Sequence, residues 1–352
     1  MADPLHQPNP GLHNDDGLAP SLEPALLEAC KGRLSKLEWF RSTWQSSGAS
    51  TGFGTYTTDA GTTVPVCVKV PVGPNEYNWT TSLAAANPPP SDPAVPDTLP
   101  TLRVFASGTE LGGYDLAWLV VERLSGHTLA HDLTEESILG LLRTTVRWYD
   151  LAARIKPVGR PPPPPDWEAQ LAKAREALKV SAIEDSQSWN KAIKDVQKVL
   201  PRLAERWACR PINTWCHGDL HPGNAMRRLS PGGPSSGDPP SSPTDHSPHP
   251  CVLIDLALVH AGHWVEDAVY LERLHWGKPE LLHGVKPVNA MAKIRKEFGL
   301  PHAEGEDHGQ LANIRRVLMA ATTPAFLHRE GHPKYVKTAL EKLETLLPLV
   351  AR

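Results

Sequence analysis

His217-Gly218-Asp219-Leu220-His221-Pro222-Gly223-Asn224 sets a carboxylate and an amide five residues apart in a stretch bent by proline and glycine. Thirty-one residues after Asn224, the apolar run Val252-Leu253-Ile254 ends on a second carboxylate, Asp255. Phosphoryl transfer needs such a set. One carboxylate accepts the proton of an attacking hydroxyl, while an amide oxygen and a second carboxylate hold Mg2+ against nucleotide phosphates. Asp219 is the candidate base, and Asn224 and Asp255 are the candidate metal ligands. An isolated Asp-x4-Asn pair would suit a tight turn in which both side chains satisfy backbone groups. The complete string and the apolar run into Asp255 favour the catalytic reading. Zinc held by His217 and His221 is a rival, but imidazoles at i and i+4 need one helix face, which Pro222 and Gly223 interrupt. The two histidines are instead expected to hydrogen-bond within the loop and orient it.

The elements that must position these groups begin with a strand. Over Thr63–Val70 the valines 64, 66, 68 and 70 fall on one face, with Cys67 and Lys69 on the other. The valine face implies packing on one side and leaves Lys69 toward an open cleft, where its ammonium can reach the α- and β-phosphates. Cys67, in the same register, is expected to line the adenine pocket. Gly52-x-Gly54, in a small-residue turn before this strand, offers backbone that phosphates could approach closely, although Gly-x-Gly occurs in many loops. Glu76 is the only acidic residue between Lys69 and Asp92, and so the one nearby partner for that ammonium. Backbone groups of Val121, Glu122 and Leu124 would hold the adenine edge.

Periodicity predicts a helix over 22–46, a short helix over 75–86, and strands over 102–106 and 117–124. Asp132-x-x-Glu135 reads as a capping box ahead of a helix carrying Ile138, Leu141, Leu142 and Val146. Further helices are predicted over 167–180, 189–207, 264–276 and most of 306–350. Proline-rich stretches at 87–100, 161–165 and 231–250 read as connections. A strand-rich first third and a helix-rich remainder suggest two lobes with a cleft between them.

The net charge of −3 gives no sign of a nucleic-acid or membrane surface. Five scattered cysteines without a CxxC pair suit reduced thiols. No signal-peptide pattern or membrane-length run is present, so a cytoplasmic protein with neither nucleic-acid nor membrane partner is expected.

The string His217 to Asn224, then Leu253-Ile254-Asp255, then Gly262-x4-Asp267-Ala268, resembles the aminoglycoside phosphotransferase and choline kinase-like family, small-molecule relatives of the protein kinases. Trp118 to Leu129 is similar to that family's strand–linker–helix segment, and the resemblance runs in order over residues 50 to 280. It implies an α+β, bilobal protein-kinase-like fold with MgATP in the cleft. The small β-rich N-lobe would span 21–124 and the larger helical C-lobe 125–352, with a flexible extension at 1–20 and a flexible insertion at 231–250. By the resemblance Asp219 is the base, Asn224 and Asp255 hold the metal, and Asp267 tethers the catalytic loop. Two departures stand out. Leu256-Ala257 follows Asp255 where many members carry an aromatic and then an acidic residue, and the insertion separates the loop from Asp255 by more than a short turn. The expected activity is Mg- and ATP-dependent transfer of the γ-phosphoryl group to a hydroxyl of a small polar molecule, aminoglycoside-, amino alcohol- or sugar-like. The alternative is a kinase-like nucleotide-binding regulatory module with little turnover. A polycationic acceptor would need several acids beside the base, for which Asp267, Glu266, Glu272, Glu304, Glu306 and Asp307 are candidates. Trp264 and Trp276 are expected to be core.

Overall fold

The computed structural model describes residues 18–40, 49–90, 97–181, 183–228, 251–300, 305–327 and 331–351. Residues 1–17 of the N-terminal extension and the whole of the 231–250 insertion lie outside them. The chain gathers into two compact units, Met1–Asp132 with Pro222–Val259, and Leu133–His221 with His260–Arg352. The His217–Asn224 string is thereby divided, its first five residues in the second unit and its last three in the first.

In the first unit, α1 (Leu18–Ala29) gives way to β1 (Leu34–Phe40). This corrects the single helix predicted over 22–46. Lys31 and Gly32 both adopt left-handed backbone (φ 54° and 70°) and end the helix. β1 begins an antiparallel sheet with β2 (Ser50–Thr57), β3 (Thr63–Val70), β4 (Val104–Gly108) and β5 (Trp118–Glu122), in the order β1-β2-β3-β5-β4. Gly52 and Gly54 sit inside β2, opposite Val68 and Val66, rather than in a turn. The reason is steric. The pairing of β1 with β2 slips between Ser35 and Glu38, and a Cβ on Gly52 would lie 2.9 Å from Leu37 Cδ1 and 3.3 Å from the Glu38 carbonyl oxygen. Glycine lets the two strands approach.

The alternation of β3 is realised. Val66, Val68 and Val70 are buried with Leu22 and Leu26 of α1 and with Trp118 and Val120 of β5. On the opposite face Cys67 packs with Leu119, Val121 and Val72. Helix α2 (Pro74–Ala86) follows, and a small ladder pairs β7 (Ala225–Arg227) with β8 (Cys251–Leu253). Its anchor is buried Arg228, which donates to the carbonyl oxygens of Leu99 (2.7 Å) and Thr101 (2.9 Å) and pairs with Glu122.

The second unit is helical around a two-stranded ladder of β6 (Thr214–Cys216) and β9 (His260–Gly262). Its helices are α3 (Glu135–Ile155), α4 (Trp167–Val180), α5 (Ser186–Ala208), α6 (Val265–Leu274), α7 (Pro287–Glu297), α8 (His308–Thr322) and α9 (Pro333–Val350). The cap of α3 is Thr134 with Ser137, not Asp132 with Glu135: Thr134 Oγ1 accepts from the Ser137 N–H, and Ser137 Oγ accepts from the Thr134 N–H. Sequence reading passed over α7, although Pro287 at its first turn and buried Val288, Met291 and Ile294 at helical spacing mark it. Trp148, Trp189, Trp207, Trp264 and Trp276 are fully buried and form core. Among the described residues no helix is long and apolar enough to cross a membrane.

Candidate active site

In the first unit, Lys69 projects from the β3 face opposite the valines, and both Glu76 carboxylate oxygens accept from its ammonium at 2.7 Å. Glu76 sits in the first turn of α2 and is buried. Burial pushes its pKa up against the Lys69 charge, and the nearby Asp255 carboxylate pushes it further. Asp255 Oδ1 lies 3.9 Å from Lys69 Nζ, and its side chain is 47% exposed. A lysine thus stands between one buried and one half-exposed carboxylate.

Asp255 is held in left-handed backbone (φ 60°, ψ 69°), which few non-glycine residues occupy and which short polar side chains tolerate best. What holds it is local. The Ile254 N–H donates to the Asn224 carbonyl oxygen at 3.0 Å, and the next three residues form a 3-10 turn with Leu256 buried. Asn75, beside Glu76, donates through Nδ2 to the carbonyl oxygens of Ala257 (2.9 Å) and Val259 (2.7 Å). Helix α2 is therefore pinned to the turn after Asp255, a link that distance in sequence concealed. Asn224 is buried at the end of the 3-10 turn Pro222–Asn224. Two hard oxygen donors, an amide and a half-exposed carboxylate, fit a divalent cation such as Mg2+.

The other residues expected on the nucleotide side differ in what they offer. Burial pushes the Cys67 thiol up to about 12, so it is an apolar wall rather than a nucleophile. The N–H groups of Glu122 and Arg123 donate to the carbonyl oxygens of Arg103 (2.9 Å) and Pro65 (3.3 Å), and the Glu122 side chain is taken by Arg228. Gly52 and Gly54 serve the β1–β2 contact already described.

In the second unit, Asp267 on α6 is buried and accepts three hydrogen bonds: from the N–H groups of His217 (2.7 Å) and Gly218 (2.9 Å) and from the Tyr149 hydroxyl (2.8 Å). Burial and the Asp267 charge push the Tyr149 pKa well up, so this phenol stays a donor. Gly218 has φ 83°, the left-handed conformation that turns the chain toward Asp219. His217 is buried, and its Nδ1 accepts from the Asp219 N–H at 3.3 Å. The Asp219 carboxylate receives the Tyr270 hydroxyl on Oδ1 at 2.5 Å, while His221 Nε2 lies 3.6 Å from Oδ2. Sequence reading missed Tyr270. Its signal was the spacing Asp267-x-x-Tyr270, which places both on one face of α6.

The acids considered for a polycationic acceptor are engaged within the fold. Glu266 pairs with Arg210, Glu272 with Arg316 and Lys342, and Glu306 with His263, while Asp307 caps α8; Glu304 lies outside the described residues. Among the described residues, Cys216, His260 and Glu266 form the group that could bring three donor atoms within 4.8 Å of one another. Glu266 Oε1 already accepts from the Arg210 guanidinium and the His263 N–H. This group is therefore an ion-pair cluster of the fold.

Comparison with known proteins places the fold. Residues 68–237 match the model of a family described as phosphotransferase enzyme family. No curated protein sequence matches the chain. Among solved structures, the aminoglycoside phosphotransferase of Alicyclobacillus acidocaldarius is 13% identical over 90% of this chain and 92% of its own, with a TM-score of 0.51. The microcompartment-associated aminopropanol kinase is 17% identical over 95% and 96%, also with a TM-score of 0.51. Spectinomycin phosphotransferase, in complex with ADP and spectinomycin, is 10% identical over 91% and 97%, with a TM-score of 0.50. At these identities the likeness is one of fold, the protein-kinase-like α+β fold expected from the sequence.

Proposed function

We propose that this chain, whose residues 68–237 match the model of the phosphotransferase enzyme family, moves the γ-phosphoryl group of ATP to a hydroxyl of a small polar molecule. The observation that carries this reading is the Lys69–Glu76 pair beside Asp255. A buried carboxylate orients an ammonium that can meet phosphate oxygens, next to a half-exposed carboxylate suited to a metal. Leu119, Val121 and Cys67 supply an apolar wall for the adenine, and the carbonyls of Glu122 to Leu124 with the Leu124 N–H supply its polar edge. Mg2+, when bound by Asn224 and Asp255, neutralises charge on the phosphates. Asp219 takes the proton of the acceptor hydroxyl as its oxygen bonds to phosphorus, the bond to the β,γ-bridging oxygen breaks, and ADP leaves. Asp267, through the His217 and Gly218 amides, keeps the loop in the conformation that presents Asp219.

The engagement of Glu266, Glu272, Glu306 and Asp307 favours an acceptor of low positive charge, an amino alcohol or a sugar, over a polycationic aminoglycoside. The test is γ-phosphoryl transfer from MgATP to a panel of amino alcohols, sugars and aminoglycosides, with Asp219→Ala alongside. Transfer to one acceptor that the substitution abolishes supports the reading. Tight MgATP binding without transfer to any acceptor favours a nucleotide-binding regulatory module, and absence of nucleotide binding rejects both.

A further inference from the structure

Helix α6 reaches the 217–221 loop twice. Asp267 takes the loop's backbone amides, and one turn later Tyr270 takes the Asp219 side chain, its hydroxyl 2.5 Å from Oδ1. A contact that short between a phenol and a carboxylate is a charge-assisted hydrogen bond, among the stronger kinds a protein makes. It also adds to backbone restraint. Gly218 and the Asp219 N–H bond to His217 set where the Asp219 Cα lies, but they leave its χ angles open. Only a side-chain partner fixes those.

We propose that Tyr270 is a positioning residue for Asp219: its hydroxyl, bonded to Oδ1, holds the carboxylate in one rotamer. The inference rests on the reading of Asp219 as the base. Among the described residues of its unit, the ionisable groups beside this carboxylate include Tyr270 from α6, His217 and His221 from the loop, and His275 at the end of α6, which lies near His221. Of these, Tyr270 makes the shortest contact with the carboxylate, and its O–H stabilises the charged form. Removing it leaves the carboxylate both less fixed and more basic. A more basic but wandering carboxylate loses more by misalignment than it gains in proton affinity, because proton transfer requires hydrogen-bond geometry with the acceptor. A purely structural tyrosine would instead change stability and leave the carboxylate as it was.

The variant is Tyr270→Phe, which keeps the ring and deletes the donor. The first readout needs no turnover: the carboxyl carbon resonance of Asp219 in 13C-aspartate-labelled protein, assigned by its loss in Asp219→Asn and followed through a pH titration. The second is the split of kcat and KM for the acceptor. The expected result has three parts. The resonance moves and its titration midpoint rises. kcat falls roughly ten- to a hundredfold with KM little changed. The melting temperature and MgATP affinity stay at wild-type values, showing the variant folded. An Asp219 resonance and midpoint identical in Tyr270→Phe and wild type would overturn the proposal. A shifted resonance in a protein that phosphorylates no acceptor would uphold the Tyr270–Asp219 bond and reject the phosphotransfer reading instead, so the two failures are separable.

Discussion

Asp255 lies in backbone that costs a non-glycine residue about 1 kcal/mol or more, and it lies there beside a second carboxylate, Glu76. Both conditions disfavour the native residue on grounds of stability alone, as is common where a side chain is kept for chemistry. Asp255→Gly should therefore raise the unfolding free energy by roughly 1 kcal/mol while transfer falls by two orders of magnitude or more. Denaturant unfolding beside the transfer assay tests this, and a clear loss of stability would mean that the Lys69–Asp255 attraction outweighs the strain. Lys69→Met acts in the other direction. It strands the buried Glu76 carboxylate and should cost about 3 kcal/mol, of which a second change, Glu76→Leu, should recover a large part. Additive losses in that double-mutant cycle would show the pair to be uncoupled. At this scale the sequence was informative wherever elimination worked: Glu76 is the one acid between Lys69 and Asp92 in the chain, and its carboxylate does meet the Lys69 ammonium. Tyr270 was opaque, because a tyrosine on an amphipathic helix has many ordinary uses and only the folded loop reveals which group its hydroxyl meets.

Among elements, the join of the β6–β9 ladder to α6 is held by Glu266. It accepts from Arg210 and from the His263 N–H, with His260 3.5 Å from its second oxygen. A Cβ on Gly262 would stand 2.6 Å from Glu266 Oε1, so glycine is what lets the carboxylate close on the ladder. Burial alone would push the Glu266 pKa up, but His260, Arg210 and Arg315 hold it down to about 2, against an ordinary 4.5. Its folded pKa being the lower one, the stabilisation is fully present above about pH 4.5 and is lost as pH falls toward 2. Acid unfolding of the wild type should draw on the order of 3 kcal/mol from this group over that window. Glu266→Gln should unfold with a flatter profile there and be less stable at neutral pH; equal slopes in the two proteins would exclude Glu266 as the source. Elements were legible in proportion to their periodicity. The β3 alternation and the long amphipathic helices were read with nearly correct limits. The α1–β1 break was missed because Lys31 adopts a conformation its residue type rarely signals, and the α3 cap was displaced because a Thr–Ser pair competed with an Asp–Glu pair of the same spacing.

For the whole molecule, nucleotide binding and proton abstraction are assigned to residues of different compact units, which makes them separable by measurement. MgATP should raise the melting temperature of wild type and of Asp219→Ala alike, but much less that of Lys69→Met or Asp255→Gly, by ligand linkage. Loss of the shift in Asp219→Ala would place that residue in nucleotide binding. The family resemblance was legible because it is carried by two short strings, whereas identities of 10% and 17% to solved structures leave the acceptor unread. The β7–β8 ladder closes at Arg227 opposite Cys251, with Arg228 held by Asp97, Leu99, Thr101 and Glu122 just past the closure. The chain is therefore fixed by pairing at two neighbouring points, Arg227 and Cys251. A fluorescent domain joined between those two points would load the paired ladder before it reached Asn224 or Asp255.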